Sequence, residues 1–389
     1  MSIDIKMLDN DQSNAVIKVV GVGGAGGNAV AHMIRRNVQG VDFICANTDA
    51  QALIDTGAPV QIRLGRTGLG AGAKPEQGRS AAETARDDIR DALQGANMVF
   101  LTAGMGGGTG TGAGPVVAEV AKELGILTVG VVTKPFSFEG TKRMQVAEEG
   151  IRELSNHVHS LIVVLNEKLQ DVIDEDASFE ECFKMADDVL HNACAGIAEI
   201  INVKGNINVD FQDLTTIMSE PGQAMMGTAV ASGEDRARRA AEEAIACPLL
   251  EGVDLNGARG VLVNVTAGRS LKRREVKEIM DIIESYRSED ATVVFGQAYD
   301  DALGDELRVT VVATGLGRAR AKPQLVQAQG LRTGTDNAPV AGVGVGNNYQ
   351  DYDTPAVFRG REASRRVQAM ESSGMDHLDI PAFLRRQAD

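Results

Sequence analysis

The sequence predicts an α/β protein built on a doubly wound, mostly parallel sheet. Apolar runs of strand length alternate with segments of helical period, the connections are short, and the glycine-rich turns fall where the apolar runs end. Ligands of such sheets bind at the carboxyl ends of the strands, so the glycine turns mark the functional edge.

The first run, Val16 to Gly23, reads as a buried strand entering the turn Gly24-Ala25-Gly26-Gly27-Asn28, with a helix expected over Ala29 to Asn37. Gly21, Gly23 and Gly26 match GxGxxG, and the next strand, Val41 to Ala46, ends near Asp49, where a dinucleotide fold keeps its ribose carboxylate. An NAD-dependent oxidoreductase is therefore one reading. Against it, Asn28 puts a polar amide at the helix start, and a second anion loop follows at Gly104.

Between these loops, Gly68-Leu69-Gly70-Ala71-Gly72-Ala73-Lys74-Pro75 leads into a helix expected over Glu76 to Leu93. It is either an ordinary connection or a contact for a terminal phosphate. The strand from Met98 then runs into Gly104-Met105-Gly106-Gly107-Gly108-Thr109-Gly110-Thr111-Gly112. Apart from Met105, no side chain here exceeds a hydroxyl, so main-chain N–H groups and a helix N-terminus can face an anion. Two such loops suit a nucleoside triphosphate better than one pyrophosphate. No GxxxxGK[ST] occurs and neither loop carries a lysine, so amides, helix dipoles, a divalent cation and an arginine elsewhere must offset the charge.

The alternation continues with helix 115–124, strand 126–133, loop 134–140, helix 141–154 and strand 160–165. Ser178-Phe179-Glu180-Glu181 is a capping box opening a long helix to about Asn202. Phe179, Phe183, Ala186, Leu190, Ala193, Ile197 and Ile201 share one face, which reads as core. Phe183 and Asp187 are one turn apart, so they can instead address the same purine. Asn208, Asp210 and Asp213 stand where a polar loop enters a helix, as caps or as a carboxylate pair for chemistry. Strands 224–231, 260–266, 291–298 and 307–314, with helices 234–246 and 274–285, form a second α/β domain with a mixed sheet and no glycine anion loop.

After Gly317 apolar periodicity ends and the chain becomes rich in Ala, Gly, Gln, Asn and Arg, the composition of a disordered linker. Apolar residues return near the end: Leu378, Asp379, Ile380, Pro381, Phe383 and Leu384 form a candidate docking peptide. The formal net charge of -15 argues against nucleic acid as a main partner. Cys45, Cys182, Cys194 and Cys247 form no CxxC pair and read as reduced core residues of a cytosolic protein, and the histidines form no HExxH. With no secretory signal pattern and no run of about 18 apolar residues, the chain is expected to be neither exported nor membrane-spanning.

Residues 106–112 resemble the signature of the tubulin/FtsZ family. The likeness extends through Asn47 to Leu53, Lys134 to Gly140, Asn208 to Phe211, Gly233 to Ala237 and Leu378 to Leu384, and it is strongest toward the bacterial cell-division branch. It implies a flexible N-terminus (1–13), a GTP-binding domain (14–177), a central helix (178–202), a C-terminal polymerisation domain (203–317), a linker (318–374) and a docking peptide (375–389). It also implies a GTPase that binds GTP or GDP with Mg²⁺ and assembles head to tail into the division ring. By the same resemblance Gly24, Ala25, Gly26, Gly27, Asn28, Gly107, Gly108, Thr109 and Gly110 hold phosphate and ribose. Glu139 takes the ribose hydroxyls and Arg143 the phosphate or ribose side, while Asn166, Phe183 and Asp187 read guanine. Asn208, Asp210 and Asp213 act on the GTP of the next subunit, and the tail peptide binds membrane-tethering and regulatory division proteins. Such a protein works in the cytoplasm at the division site; no metal ligand is assigned.

Overall fold

In the computed structural model, the described residues are 15–170, 178–202, 209–220, 222–247, 258–287 and 291–316. The expected linker, the tail peptide, the N-terminal segment and Asn208 lie outside them.

The elements follow in chain order: β1 Ile17–Val22, α1 Gly23–Arg35, β2 Asp42–Asn47, α2 Ala50–Asp55, β3 Val60–Arg63, α3 Pro75–Thr84, α4 Arg86–Leu93, β4 Met98–Gly104, α5 Thr109–Glu123, β5 Leu127–Lys134, α6 Thr141–Leu154, β6 Ser160–Leu165 and α7 Asn166–Gln170. The long helix α8, Phe179–Asn202, precedes α9 Phe211–Met218, β7 Gln223–Ala231, α10 Arg236–Ile245, β8 Gly260–Ala267, α11 Arg273–Tyr286, β9 Thr292–Tyr299 and β10 Leu307–Leu316. The strands form one sheet in the order β3-β2-β1-β4-β5-β6-β7-β10-β8-β9. From β3 to β7 the pairings are parallel; β7-β10 and β10-β8 are antiparallel, and β8-β9 is parallel. The two parts meet where Leu161 and Ile162 of β6 pair with Gln223 and Ala224 of β7.

Side-chain alternation divides the core between the two faces of the sheet. Ile17 and Val19 of β1 and Met98 and Phe100 of β4 pack with Ala186, Leu190, Ala193 and Ile197 of α8. Val20 and Val22, with Val99, Leu101 and Ala103, pack on the opposite face with Val116, Val117 and Val120 of α5. The cluster around α8 also takes in Met226, Leu262 and Val312 of β7, β8 and β10, so one helix buries apolar surface along both parts of the sheet.

Several sequence expectations change in detail. Gly24 to Asn28 already belong to α1, and α5 begins at Thr109 with Pro115 inside it. Glycine's poor helix propensity hides such starts, whereas close packing against neighbouring backbone favours them. The helix expected over 76–93 breaks at Ala85, whose φ of -101° and ψ of 17° leave the helical basin. Phe179 and Phe183 do not join the core: they are 67% and 46% exposed, and burial on α8 starts at Ala186. Cys182 and Cys247 are only partly buried, while Cys45 and Cys194 are buried thiols. The capping box holds: Glu181 accepts from Ser178 N at 2.7 Å, and Ser178 Oγ accepts from Glu181 N. Among the described residues no helix is long and apolar enough to cross a membrane.

Candidate nucleotide site

Two glycine loops leave the carboxyl ends of the paired strands β1 and β4. Each is jammed from behind. A Cβ on Gly26 would strike the Thr102 carbonyl of β4, and one on Gly112 would strike the Pro75 carbonyl. In front the loops are open, since a Cβ on Gly24 or Gly107 would meet nothing within 4 Å. Gly23 and Gly106 make the sharp entries, with φ of 76° and 94°. Ala25 is absent from the positive-φ residues, so its methyl costs the loop little.

Both following helices lack caps. Neither α1 nor α5 has a side-chain hydrogen bond at its N-cap or an acidic residue in its first turn. The same is true of α6 and α10, whereas α2 is capped by Asp49, α8 by Ser178 and α9 by Asp210; only α1 and α5 of these follow the two glycine loops. Leading N–H groups and positive dipole ends are therefore aimed into one space without a protein anion to answer them, which fits phosphate.

The Gly104 loop is braced by Thr111 Oγ1, which accepts from Gly106 N at 2.9 Å, and by the Thr48–Thr109 hydroxyl pair. The 68–75 turn packs against it: a Cβ on Gly108 would lie 2.8 Å from Ala71 Cβ and 2.9 Å from Lys74 N. That turn supports the loop from behind. Arg143 sits on Gly106, with its Cγ 2.8 Å from where a Cβ would be. Its Nη1 is 2.9 Å from Glu139 Oε2, and Glu139 Oε1 accepts from Phe136 N at 2.8 Å. The predicted ribose and phosphate side chains thus stand together beside the second loop.

Asn28, Arg35, Thr56, Phe183, Lys184 and Asp187 are among the residues lining a cleft of about 870 Å³ between α1, α2 and α8. Phe183 makes a T-shaped contact with Phe136, ring centroids 5.5 Å apart, and its half-exposed ring is available for stacking. Burial pushes the Asp187 carboxyl up to about 7; Arg35 pulls it down and Asp188 pushes it further up. Asn166, at the start of α7, is 5% exposed and its Oδ1 has no hydrogen-bond partner. An orphaned buried acceptor beside the functional edge fits a ligand donor. Among the described residues no three His, Cys, Asp or Glu side chains gather to hold a metal.

The remaining predicted residues are elsewhere. Asp210 and Asp213 are exposed at the start of α9, which packs on β8 and β9. Five strand spacings separate β4 from β8, about 24 Å at ~4.8 Å each. One chain therefore does not bring these carboxylates to its own loops. Asp210 Oδ1 accepts from Asp213 N at 2.7 Å, so the capping role read from the sequence is present.

The oxidoreductase reading fails at its carboxylate: Asp49 accepts from Gln51 N and Ala52 N and is used as the cap of α2. Sequence reading missed Thr48 and Arg35. Arg35 stands seven residues after Asn28, two turns along the same face of α1, which is the signal that would have found it.

The family model for the tubulin/FtsZ family, GTPase domain, matches residues 16–174, and that for the FtsZ family, C-terminal domain, matches 222–317. The cell division protein FtsZ of Azotobacter vinelandii is 55% identical over 392 residues, covering 99% of this chain and 100% of the relative. That of Pseudomonas aeruginosa is 54% identical with the same coverage. Among solved structures, an FtsZ dimer of M. jannaschii superposes with a TM-score of 0.75 at 41% identity, over 79% of this chain and 89% of that one. CetZ1 from Haloferax volcanii, described as a GDP-bound monomer, shares the fold at 20% identity, with a TM-score of 0.68 over 78% of this chain and 96% of that one.

Proposed function

The chain belongs to the tubulin/FtsZ family, and from that membership we propose that it is a GTPase that assembles head to tail into the filaments of a bacterial division ring. The observation that carries the nucleotide part is the pair of uncapped helices behind Gly24 and Gly107, where two loops are packed behind and open in front. Phosphates take the N–H groups of Gly24 to Asn28 and Gly107 to Gly110. Glu139 accepts from ribose hydroxyls, with Arg143 beside the phosphates. The base stacks on Phe183, its edge donates to Asp187, and Asn166 Oδ1 receives a further donor. Mg²⁺, carried by the triphosphate, would draw charge from the phosphate oxygens.

Hydrolysis uses Asn208, Asp210 and Asp213 from the neighbouring subunit. The roughly 24 Å between β4 and β8 supports this division, because a head-to-tail contact can join the two ends that one chain keeps apart. Carboxylates arriving across an interface orient the attacking water without opposing phosphate binding in the free subunit. Residues 14–177 then hold GTP, 203–317 supply the partner's chemistry, and Leu378, Asp379, Ile380, Pro381, Phe383 and Leu384 dock membrane-tethering or regulatory division proteins, keeping the ring beneath the membrane.

The test is GTP turnover per molecule against protein concentration, with light scattering recorded in parallel. Both should rise above one shared threshold. Turnover of dilute subunits equal to that of concentrated protein would defeat the proposal.

A further inference from the structure

Asp188 follows the carboxylate assigned to the base, yet it faces different partners. Its Oδ1 accepts from His32 Nε2 at 2.8 Å and from Arg36 Nη2 at 2.9 Å. His32 lies on α1, 5% exposed, with its ring edge-on to His191 at a centroid distance of 5.9 Å; Arg36 is the C-cap of α1. These hydrogen bonds link α1 to α8. They join the helix that starts with the first glycine loop to the helix that carries Phe183 and Asp187.

Two adjacent carboxylates on one helix oppose each other's charge. Asp187 shares its cleft with His32, Arg35 and Arg36 from α1, Asp55 from α2, and Glu180 and Lys184 from its own helix. Asp188 pushes its carboxyl up, on top of the effect of burial. A guanine edge presents two donors, the ring N1–H and the exocyclic amino group. An ionised carboxylate accepts both, whereas a protonated one must turn a donor toward one of them.

We propose that His32 and Arg36 are positioning residues for base selection: by engaging Asp188 they weaken the charge it presents to Asp187 and so favour the ionised form, which accepts both donors of guanine. This rests on the reading of Asp187 given above. His32 and Arg36 line the same cleft as Asp187, but their hydrogen bonds are to Asp188. Their effect passes through Asp188, so it appears as selectivity between purines rather than as a uniform loss of binding. Hypoxanthine separates the two, because it keeps N1–H and lacks the amino group.

The experiment titrates the full chain with GDP and with inosine diphosphate at pH 7. Arg36→Ala, at a half-exposed position, should lower the preference for GDP about five-fold, the size of a partly exposed ion pair. Adding Asp188→Asn should restore the preference, since the uncompensated charge is gone. His32→Gln, which retains a donor for Asp188, should match the parent, and His32→Ala should not. Equal weakening of both ligands by Arg36→Ala, unrelieved by Asp188→Asn, would show a mechanical tie and overturn the inference. So would an unchanged preference in Arg36→Ala when the parent prefers GDP. A parent chain without preference for GDP would instead remove the reading of Asp187 on which the inference stands.

Discussion

The hydroxyls of Thr48 and Thr109 lie 2.6 Å apart, joining the end of β2 to the first residue of α5. Thr48 is 4% exposed, so this bond ties the second glycine loop to a strand two places away in the sheet. Thr48→Val keeps the shape and leaves Thr109 without its partner. Stability should fall by about 1 kcal/mol, and GTP affinity should fall with it as the loop loosens. Thermal denaturation and nucleotide titration check the two effects separately.

The open and jammed glycines make opposite predictions. Gly112→Ala drives a methyl into the Pro75 carbonyl and should cost roughly 1–3 kcal/mol of stability in a denaturant titration. Gly107→Ala meets no protein atom, so the fold should keep its stability while GTP binding weakens.

At the start of α9 the cap and the proposed chemistry are separable. Asp210 caps with its side chain, whereas the hydrogen bond it accepts comes from the main-chain N–H of Asp213. Asp213→Ala should therefore lose at most a few tenths of a kcal/mol of stability, as a first-turn acid, bind GTP and assemble, yet lose turnover by about 100-fold or more, the size of one positioned acid–base group. Asp210→Ala should lose about 1 kcal/mol of stability as well. Denaturation and phosphate release on the same samples distinguish them.

Asp187 sets a pH dependence of defined sign. Its carboxyl is raised to about 7 in the folded chain from an ordinary value of 3.8. Between these values the folded state holds the proton more tightly than the unfolded one, so this group's contribution to stability declines as pH rises from about 4 to about 7 and is level above. In the role proposed for Asp187, guanine binding runs the other way, because the ionised form accepts the base donors. GDP affinity should rise as pH increases toward and through 7, and Asp187→Asn should flatten that rise.

Much of this arrangement is legible in the sequence, and the exceptions have physical causes. The buried strands β1, β4 and β5 stand out because parallel strands covered on both faces read as continuous apolar runs. α2 and α7 escape notice because six and five residues are too few to display a period, although Asp49 is a good cap signal. β3 is an edge strand with only Ile62 of its four residues buried, so no alternation survives. Helical spacing placed Phe183 and Ala186 on one stripe, but spacing cannot tell where the covering layer stops. The glycine loops stand out in the composition, at the ends of β1 and β4 where the sequence predicts turns; which glycines face outward depends on Thr102, Pro75 and Ala71, distant in sequence.

With phosphate bound as proposed, the missing caps of α1 and α5 would make the ligand a structural component. A phosphate answering the first-turn N–H groups does for these helices what Ser178 does for α8, so nucleotide completes secondary structure that the chain leaves unfinished. The amides of residues 24–27 and 108–110 should accordingly exchange their hydrogens slowly with nucleotide and fast without it. Exchange of products would then carry a folding cost, since each departing diphosphate takes two helix caps with it.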